Sequence, residues 1–391
     1  MSANRTIRGN AAVVGIGSTP YLKRGTSVDS ALTLILKAIL AACADAGMDP
    51  RQVDGFASYA HDRSEGLVVG ASLGVHEIRW STMVWGGGGG GVAAAVNAAA
   101  AAVVSGQAEC VAVYRGITEA DDGRGSYGKD HYPPLLSAHG ILAPAQNCAL
   151  RTQRMLEADG VPRSAMEALV LASYQHAQRN PDAVAYGKPL DQDTYETSRW
   201  VAEPLHLYDC SRENDAASAL LVVPAERARD FASTPAYLLA GVQGSGPGWS
   251  ESIENEENYS SAGFHPALVA RLWESANVKA GDIDVVQVYE NFSGPAVASL
   301  IDFGLCPPGA AAGEFMTVPN LLAPDGKLPI NTAGGNIAEG FVHGIGMVVE
   351  AVRQIRGSSS NQVRGAELSL LLGGPAAPLV SATLFGSEAT L

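Results

Sequence analysis

The sequence calls for an α/β fold in five layers, α-β-α-β-α, made of two similar halves with an inserted loop domain. Three features point there. Apolar strands alternate with helix-period segments, two helical stretches carry almost no charge on any face, and each half has a glycine-rich turn opening one of them. A helix that is apolar all round must be covered on every side. Two such helices lying side by side between two sheets meet that demand, and outer helices complete the layers.

In the first half, taken as residues 1–235, AAVVGI at 11–16 reads as a buried strand. A helix over 27–47 follows, with Ser27 or Asp29 near its start and Gly47 at its stop. A second strand spans 53–58. Residues 84–97, VWGGGGGGVAAAVN, then place six glycines before a helix running to Ser105. Each glycine costs roughly 0.5–1 kcal/mol relative to alanine, so an ordered run between a strand and a buried helix needs a use. A strand at 108–114, AECVAVY, continues the alternation and implies a mostly parallel sheet.

Residues 117–208 break the pattern with a polar, aromatic stretch, DDGRGSYGKDHYPP, and helices near 144–159 and 163–178. This is the inserted loop domain, the kind of segment in which specificity resides. A strand at 217–223 closes the half. The second half, 236–391, repeats the theme: strand 236–242, helix 266–276, strand 285–289, helix 294–304, NTAGGNIAEG leading into helix 341–354, and strands 367–372 and 379–384.

The 391 residues are 47% hydrophobic and 17% charged, enough for a large core or two packed domains. A net charge of −14 argues against nucleic acid and anionic membrane as partners. The N-terminal residues do not read as a secretory leader, and the longest apolar run, 92–104, is too short to cross a bilayer. The five cysteines are scattered and never form a CxxC pair, which argues against a disulfide framework or zinc site and makes the cytoplasm the expected compartment. No Gly-Lys-Ser/Thr follows the glycines, which excludes a Walker loop. Bare N–H groups at a helix start stabilise an anion instead, so Gly86, Gly87 and Gly88 are the candidate oxyanion donors.

The order of AAVVGIGSTPY, VDGFASY, the glycine-rich helix start, SRWVAEPLHLYDC, DCSRENDAASALLVV, VVQVYENFSG, LPINTAGGNIAEG, RQIRG and LLLGGP resembles the thiolase superfamily over about 10–385. The likeness is nearest to its sterol-carrier-protein-X and lipid-transfer-protein branch. Thiolases use a nucleophilic cysteine, an activating histidine in Gly-His-Pro, an Asn-Glu-x-Phe motif that orients a water, and a late Cys-x-Gly. This chain departs at all four: the nucleophile position falls near Gly87, the Asn position is Tyr289, the Gly-His-Pro His position is Phe341, and the late Cys falls near Leu371 or Leu372. Without that thiol an acyl-enzyme is unsupported.

The part of the branch without the nucleophile resembles steroid side-chain aldolases, which cleave a β-hydroxyacyl-CoA by retro-aldol reaction to a ketone and a short acyl-CoA. That chemistry requires a proton-transfer group and an oxyanion hole. Tyr289, ending the apolar VVQVY stretch, is the first candidate for the proton, with His343 second and Glu290 and Glu339 as neighbouring alternatives. His343 lies two positions beyond Phe341, about 200° round a helix, an arrangement that turns it from the pocket. His139, Tyr259, Phe341, Gly334 and Gly335 are candidate substrate contacts.

The resemblance further implies a homodimer and a small zinc-ribbon/OB-fold accessory protein. It implies no cofactor or metal in this chain, with the coenzyme A thioester entering as substrate. Two other readings compete: a non-catalytic thiolase-like subunit supporting a partner, and a Claisen-type acyltransferase using a different residue.

Overall fold

A computed structural model gives the fold and describes residues 6–60, 62–85, 88–119, 134–246, 261–377 and 379–391. The first-half strands are β1 (Ala11–Ser18), β2 (Leu22–Lys23), β3 (Gly55–Tyr59), β4 (Trp80–Val84) and β5 (Val111–Ile117). A small hairpin, β6 (Trp200–Ala202) and β7 (Leu205–His206), precedes β8 (Asn214–Pro224). The second half contributes β9 (Ala236–Gly244), β10 (Val285–Val288), β11 (Leu368–Gly373) and β12 (Val380–Gly386). The described helices of eight residues or more are α1 (Ala31–Ala46), α2 (Gly66–Leu73), α3 (Gly91–Val104), α4 (Pro144–Glu157), α5 (Ser164–Ala177), α6 (Pro266–Ala276), α7 (Ser293–Asp302) and α8 (Ile345–Arg356).

The strand order β4-β3-β5-β8-β1 in one half is mirrored by β10-β11-β12-β9 in the other. A lone parallel bridge from Val286 to Ile330 takes the place of the fifth strand. The two sheet halves are hydrogen-bonded to each other where β1 meets β9, Ala12 opposite Tyr237 and Val13 opposite Ala236. The sheet is mixed, not mostly parallel: among the described strands, parallel pairs are β4-β3-β5 and β10-β11. Antiparallel pairs enter through β8, which returns after the long insertion, and through β12, which follows β11 directly.

Helix α3 lies between the halves, against β3, β5 and β8 on one side and β9, β11 and β12 on the other. Val92, Ala93, Val96, Ala99 and Ala100 are fully buried there. Its one polar side chain, Asn97, donates to the carbonyls of Val242 (3.3 Å) and Ala382 (3.1 Å) and accepts from Thr383 Oγ1 (2.8 Å). Helix α8 lies beside α3, against β10 and β11 of its own half and β1 and β8 of the other. Helix α1 covers β1, β5 and β8 from outside, and α6 covers β9. Helices α4 and α5 of the insertion pack on α7.

Two predicted helix starts move. Helix α1 begins only at Ala31, capped by Ser30 Oγ accepting the Thr33 N–H (3.2 Å), because Ser27 N–H instead donates to the Asp215 carboxylate (2.9 Å). The helix expected from 341 begins at Ile345: His343 and Gly344 have φ of +48° and +83°, and Phe341 is bridged to Glu213. Helix α2 and strand β4 had no counterpart in the sequence reading.

Candidate active site

The site forms where the ends of β3, β5 and β10 meet the N-termini of α3 and α8. Strand β10 is fully buried, and the residue after it, Tyr289, is anchored by its N–H donating to Leu372 O (2.9 Å). The Tyr289 ring is only 2% exposed and lies flat on the glycine turn. A Cβ on Gly89 would overlap the ring, and one on Gly344 would stand 2.6 Å from Cδ2. The phenol oxygen is 3.8 Å from where a Gly88 Cβ would be, so it stands over the tip of α3. Gly89 and Gly90 are buried, and Ser381 Oγ donates to Gly90 O (2.7 Å), fixing the turn. Gly86 and Gly87 lie outside the described residues, as does Tyr259.

The second wall is the turn before α8. Phe341 N–H donates to Asn214 Oδ1 (3.1 Å), and its ring meets Tyr289 edge-on with centroids 6.3 Å apart. The His343 ring packs against Phe341 at 5.2 Å, nearly perpendicular. The rotation expected to turn His343 away does not occur, because these residues are not helical. His343 is 3% exposed; its carbonyl accepts from the Tyr59 hydroxyl (2.8 Å) and its Nδ1 from Arg115 Nε–H (3.1 Å). Arg115 forms a buried ion pair with Asp62 (2.9 Å) and also donates to Gly116 O (2.7 Å) and Ala60 O (3.3 Å).

Sequence reasoning missed Tyr59, Asp62 and Arg115. Superposing the repeat would have found Tyr59, since VDGFASY and VVQVY end equivalent strands on tyrosine.

The acidic alternatives have structural partners. Glu290 is fully buried, accepts from Ile337 N–H (3.3 Å) and Asn336 Nδ2–H (3.2 Å), and burial raises its carboxyl well above the usual range. Burial likewise pushes Glu339 up to about 8, with Arg353 opposing and Glu350 and Asp182 adding to the rise. The described contacts set Gly335 against the Glu290 carboxyl and Gly334 against Ala177, not against Tyr289 or Phe341. His139 is exposed on the turn after residues 134–138.

No cysteine belongs to the buried cluster that holds Tyr289 and Phe341. Burial pushes the thiols of Cys43, Cys148, Cys210 and Cys306 up to about 12 and that of Cys110 higher still, which disfavours a thiolate at any of them. At the late cysteine position, Leu371 and Leu372 are fully buried in β11. Among the described residues, no three His, Cys, Asp or Glu side chains cluster as metal ligands.

Fold and site together define a thiolase-fold protein whose buried helix tip faces a phenol in place of a thiol. Residues 248–383 match the thiolase C-terminal domain-like family. The chain is 34% identical over 388 residues to the 17-hydroxy-3-oxo-4-pregnene-20-carboxyl-CoA lyase of Mycobacterium tuberculosis, spanning 95% of this chain and 98% of that one. It is also 34% identical to the steroid side-chain-cleaving aldolase of Thermomonospora curvata, over 97% and 98% of the two chains. The solved Ltp2–ChsH2(DUF35) aldolase superimposes with a TM-score of 0.89 at 31% identity, over 99% of this chain and 100% of that chain. The chain belongs to the thiolase superfamily, in the branch of the steroid side-chain-cleaving aldolases.

Proposed function

We propose that this protein is a carbon–carbon lyase that cleaves a β-hydroxyacyl-CoA by retro-aldol reaction, giving a ketone and a shorter acyl-CoA, with a sterol or bile-acid side chain as the acyl group. The observation that carries the reading is the Tyr289 phenol over the Gly88–Gly89 turn, at a tip that presents no thiol. The substrate's β-hydroxyl proton passes to Tyr289 acting as phenolate, the C–O bond becomes the ketone carbonyl, and the Cα–Cβ bond breaks. The electron pair of that bond enters the thioester as an enolate. The phenol so formed holds the proton that is returned to Cα, which completes the shorter acyl-CoA. No bond to the protein forms at any step.

Main-chain N–H groups of the glycine turn face the developing oxyanion, each donor of this kind contributing about 3–4 kcal/mol to the transition state. Because a Gly89 side chain would collide with Tyr289, the turn that frees these amides is also the one that seats the phenol. Phe341 carries no transferable proton and serves as an apolar wall for the acyl chain.

The chain works as a homodimer together with a small zinc-ribbon/OB-fold accessory protein. The solved relative, itself an Ltp2–ChsH2(DUF35) aldolase, supports the accessory part. Strand β4, which ends the sheet path beside β3 alone, offers an edge for a second copy. No described helix is long and apolar enough to cross a membrane.

The test is incubation with a β-hydroxyacyl-CoA bearing a tertiary alcohol, with and without the accessory protein. Release of ketone and shorter acyl-CoA is expected. Absence of turnover in both conditions would assign the chain a supporting, non-catalytic role instead.

A further inference from the structure

The geometry points to His343 as a hydrogen-bond donor of fixed tautomer, oriented by the Asp62–Arg115 pair, and not as a proton acceptor. The catalytic half of this inference rests on the retro-aldol reading, while the tautomer rests on geometry alone. A guanidinium offers only N–H groups and stays charged at any working pH. With Arg115 Nε 3.1 Å from His343 Nδ1, that nitrogen must accept. The single proton of the ring then sits on Nε2. A second proton would have to enter at Nδ1, facing an N–H, and would create an imidazolium beside a guanidinium.

Neither partner is placed to swing away. Arg115 is held by Asp62, Gly116 O and Ala60 O, with the ion pair's side chains 6% and 1% exposed. Asp62 is itself fixed by the Ser64 N–H (2.8 Å). His343 has its backbone in the left-handed region, φ +48°, an uncommon state for a residue with a side chain. Tyr59 secures its carbonyl and Phe341 packs against its ring. Among the described residues, the titratable and charged groups whose contacts reach it directly or through one neighbour include Arg115 from β5, Asp62 from the segment after β3, Tyr59 from β3 and Tyr289 across Phe341.

The His343 ring packs on Phe341, which in turn meets Tyr289, and an N–H donor in that cluster suits an enolate oxygen, which needs donors. It does not suit removal of a hydroxyl proton, which needs a free lone pair. Tyr289 and His343 therefore divide the work: one moves the proton, the other steadies the charge. Arg115 and Asp62 are positioning residues that act through His343.

The test has two readouts. Histidine-15N NMR of the unmutated protein, with the His343 signals assigned through His343→Gln, should show the Nε2–H tautomer from about pH 5.5 to about 8.5, although an unrestrained imidazole titrates near 6.5. Arg115→Lys, which keeps charge but loses the Nε–H, should release that lock, and Asp62→Asn should loosen it. The inference is overturned by an Nδ1–H tautomer or an imidazolium at neutral pH in the unmutated protein.

In the activity assay, His343→Gln retains a donor and should stay within about tenfold of the unmutated kcat. His343→Leu should lose about 10²–10³ in kcat, with KM little changed. Equal activity of the two variants would overturn the donor role. If the unmutated protein turns over no substrate, the retro-aldol reading fails and the donor role with it, while the spectrum still decides the tautomer.

Discussion

Two tyrosines close equivalent strands of the two halves, and their surroundings differ. Tyr59 ends β3, lies fully buried with its Cβ 2.6 Å from where a Gly91 Cβ would be, and commits its hydroxyl to the carbonyl of His343. Tyr289 follows β10, lies against Gly89 and Gly344, and holds its oxygen over Gly88. One phenol braces the opposite half's helix tip; the other stands over the glycine tip of α3.

The two helix tips differ in the same complementary way. The α3 tip is bare glycine and offers main-chain amides, whereas the turn before α8 carries Phe341 and a clamped imidazole. A duplicated unit has thus become asymmetric: one tip supplies backbone donors and the other side chains.

The comparison breaks most readily at Tyr289. Tyr289→Phe should lower kcat by about 10²–10⁴, the range of a lost proton-transfer group, with thermal unfolding little changed. A loss below tenfold would make the two tyrosines alike in role.

Glu339 sharpens the contrast from the α8 side, where its buried carboxyl lies close to the first turn of that helix. Its carboxyl rises from an ordinary 4.5 to about 8 on burial, so folding favours the protonated form. That contribution is complete below the unfolded value and is lost as pH rises toward 8. At about 1.4 kcal/mol per unit, the change is on the order of several kcal/mol. Denaturant midpoints measured from about pH 4.5 to about 8 should therefore fall more steeply for the unmutated protein than for Glu339→Gln.

Gly89→Ala should destabilise by about 1–3 kcal/mol, because the new methyl group meets the Tyr289 ring, and should reduce activity by displacing the phenol. Urea unfolding and kcat report the two effects separately. Tyr59→Phe should cost the least, roughly 1 kcal/mol from the orphaned His343 carbonyl, with kcat lowered less than tenfold.

Much of this was legible in the sequence because local patterns enforce it. Helix α6 matches its predicted span, and α4, α5 and α7 start within a residue of it, because apolar period and flanking Pro or Gly act locally. Tyr289 was legible as the polar end of an apolar strand. Gly88–Gly91 were legible as the start of a buried helix, but not the packing of a ring on Gly89, which joins residues 200 apart in sequence.

The Arg115–His343 contact joins residues 228 apart, and nothing local to AECVAVYR marks that arginine as buried. The late start of α8 was hidden for the same reason. Tyr59 and Arg115 both hold His343 in a left-handed turn that helix periodicity alone would override.

The central claim is a bond cleavage that never acylates the protein. The most direct measurement follows one reaction of a tertiary β-hydroxyacyl-CoA in two channels, ketone release and the intact mass of the chain. The account predicts ketone and shorter acyl-CoA released while the protein mass stays unchanged throughout turnover. An acyl adduct on a cysteine that forms and decays at the rate of product release would contradict it.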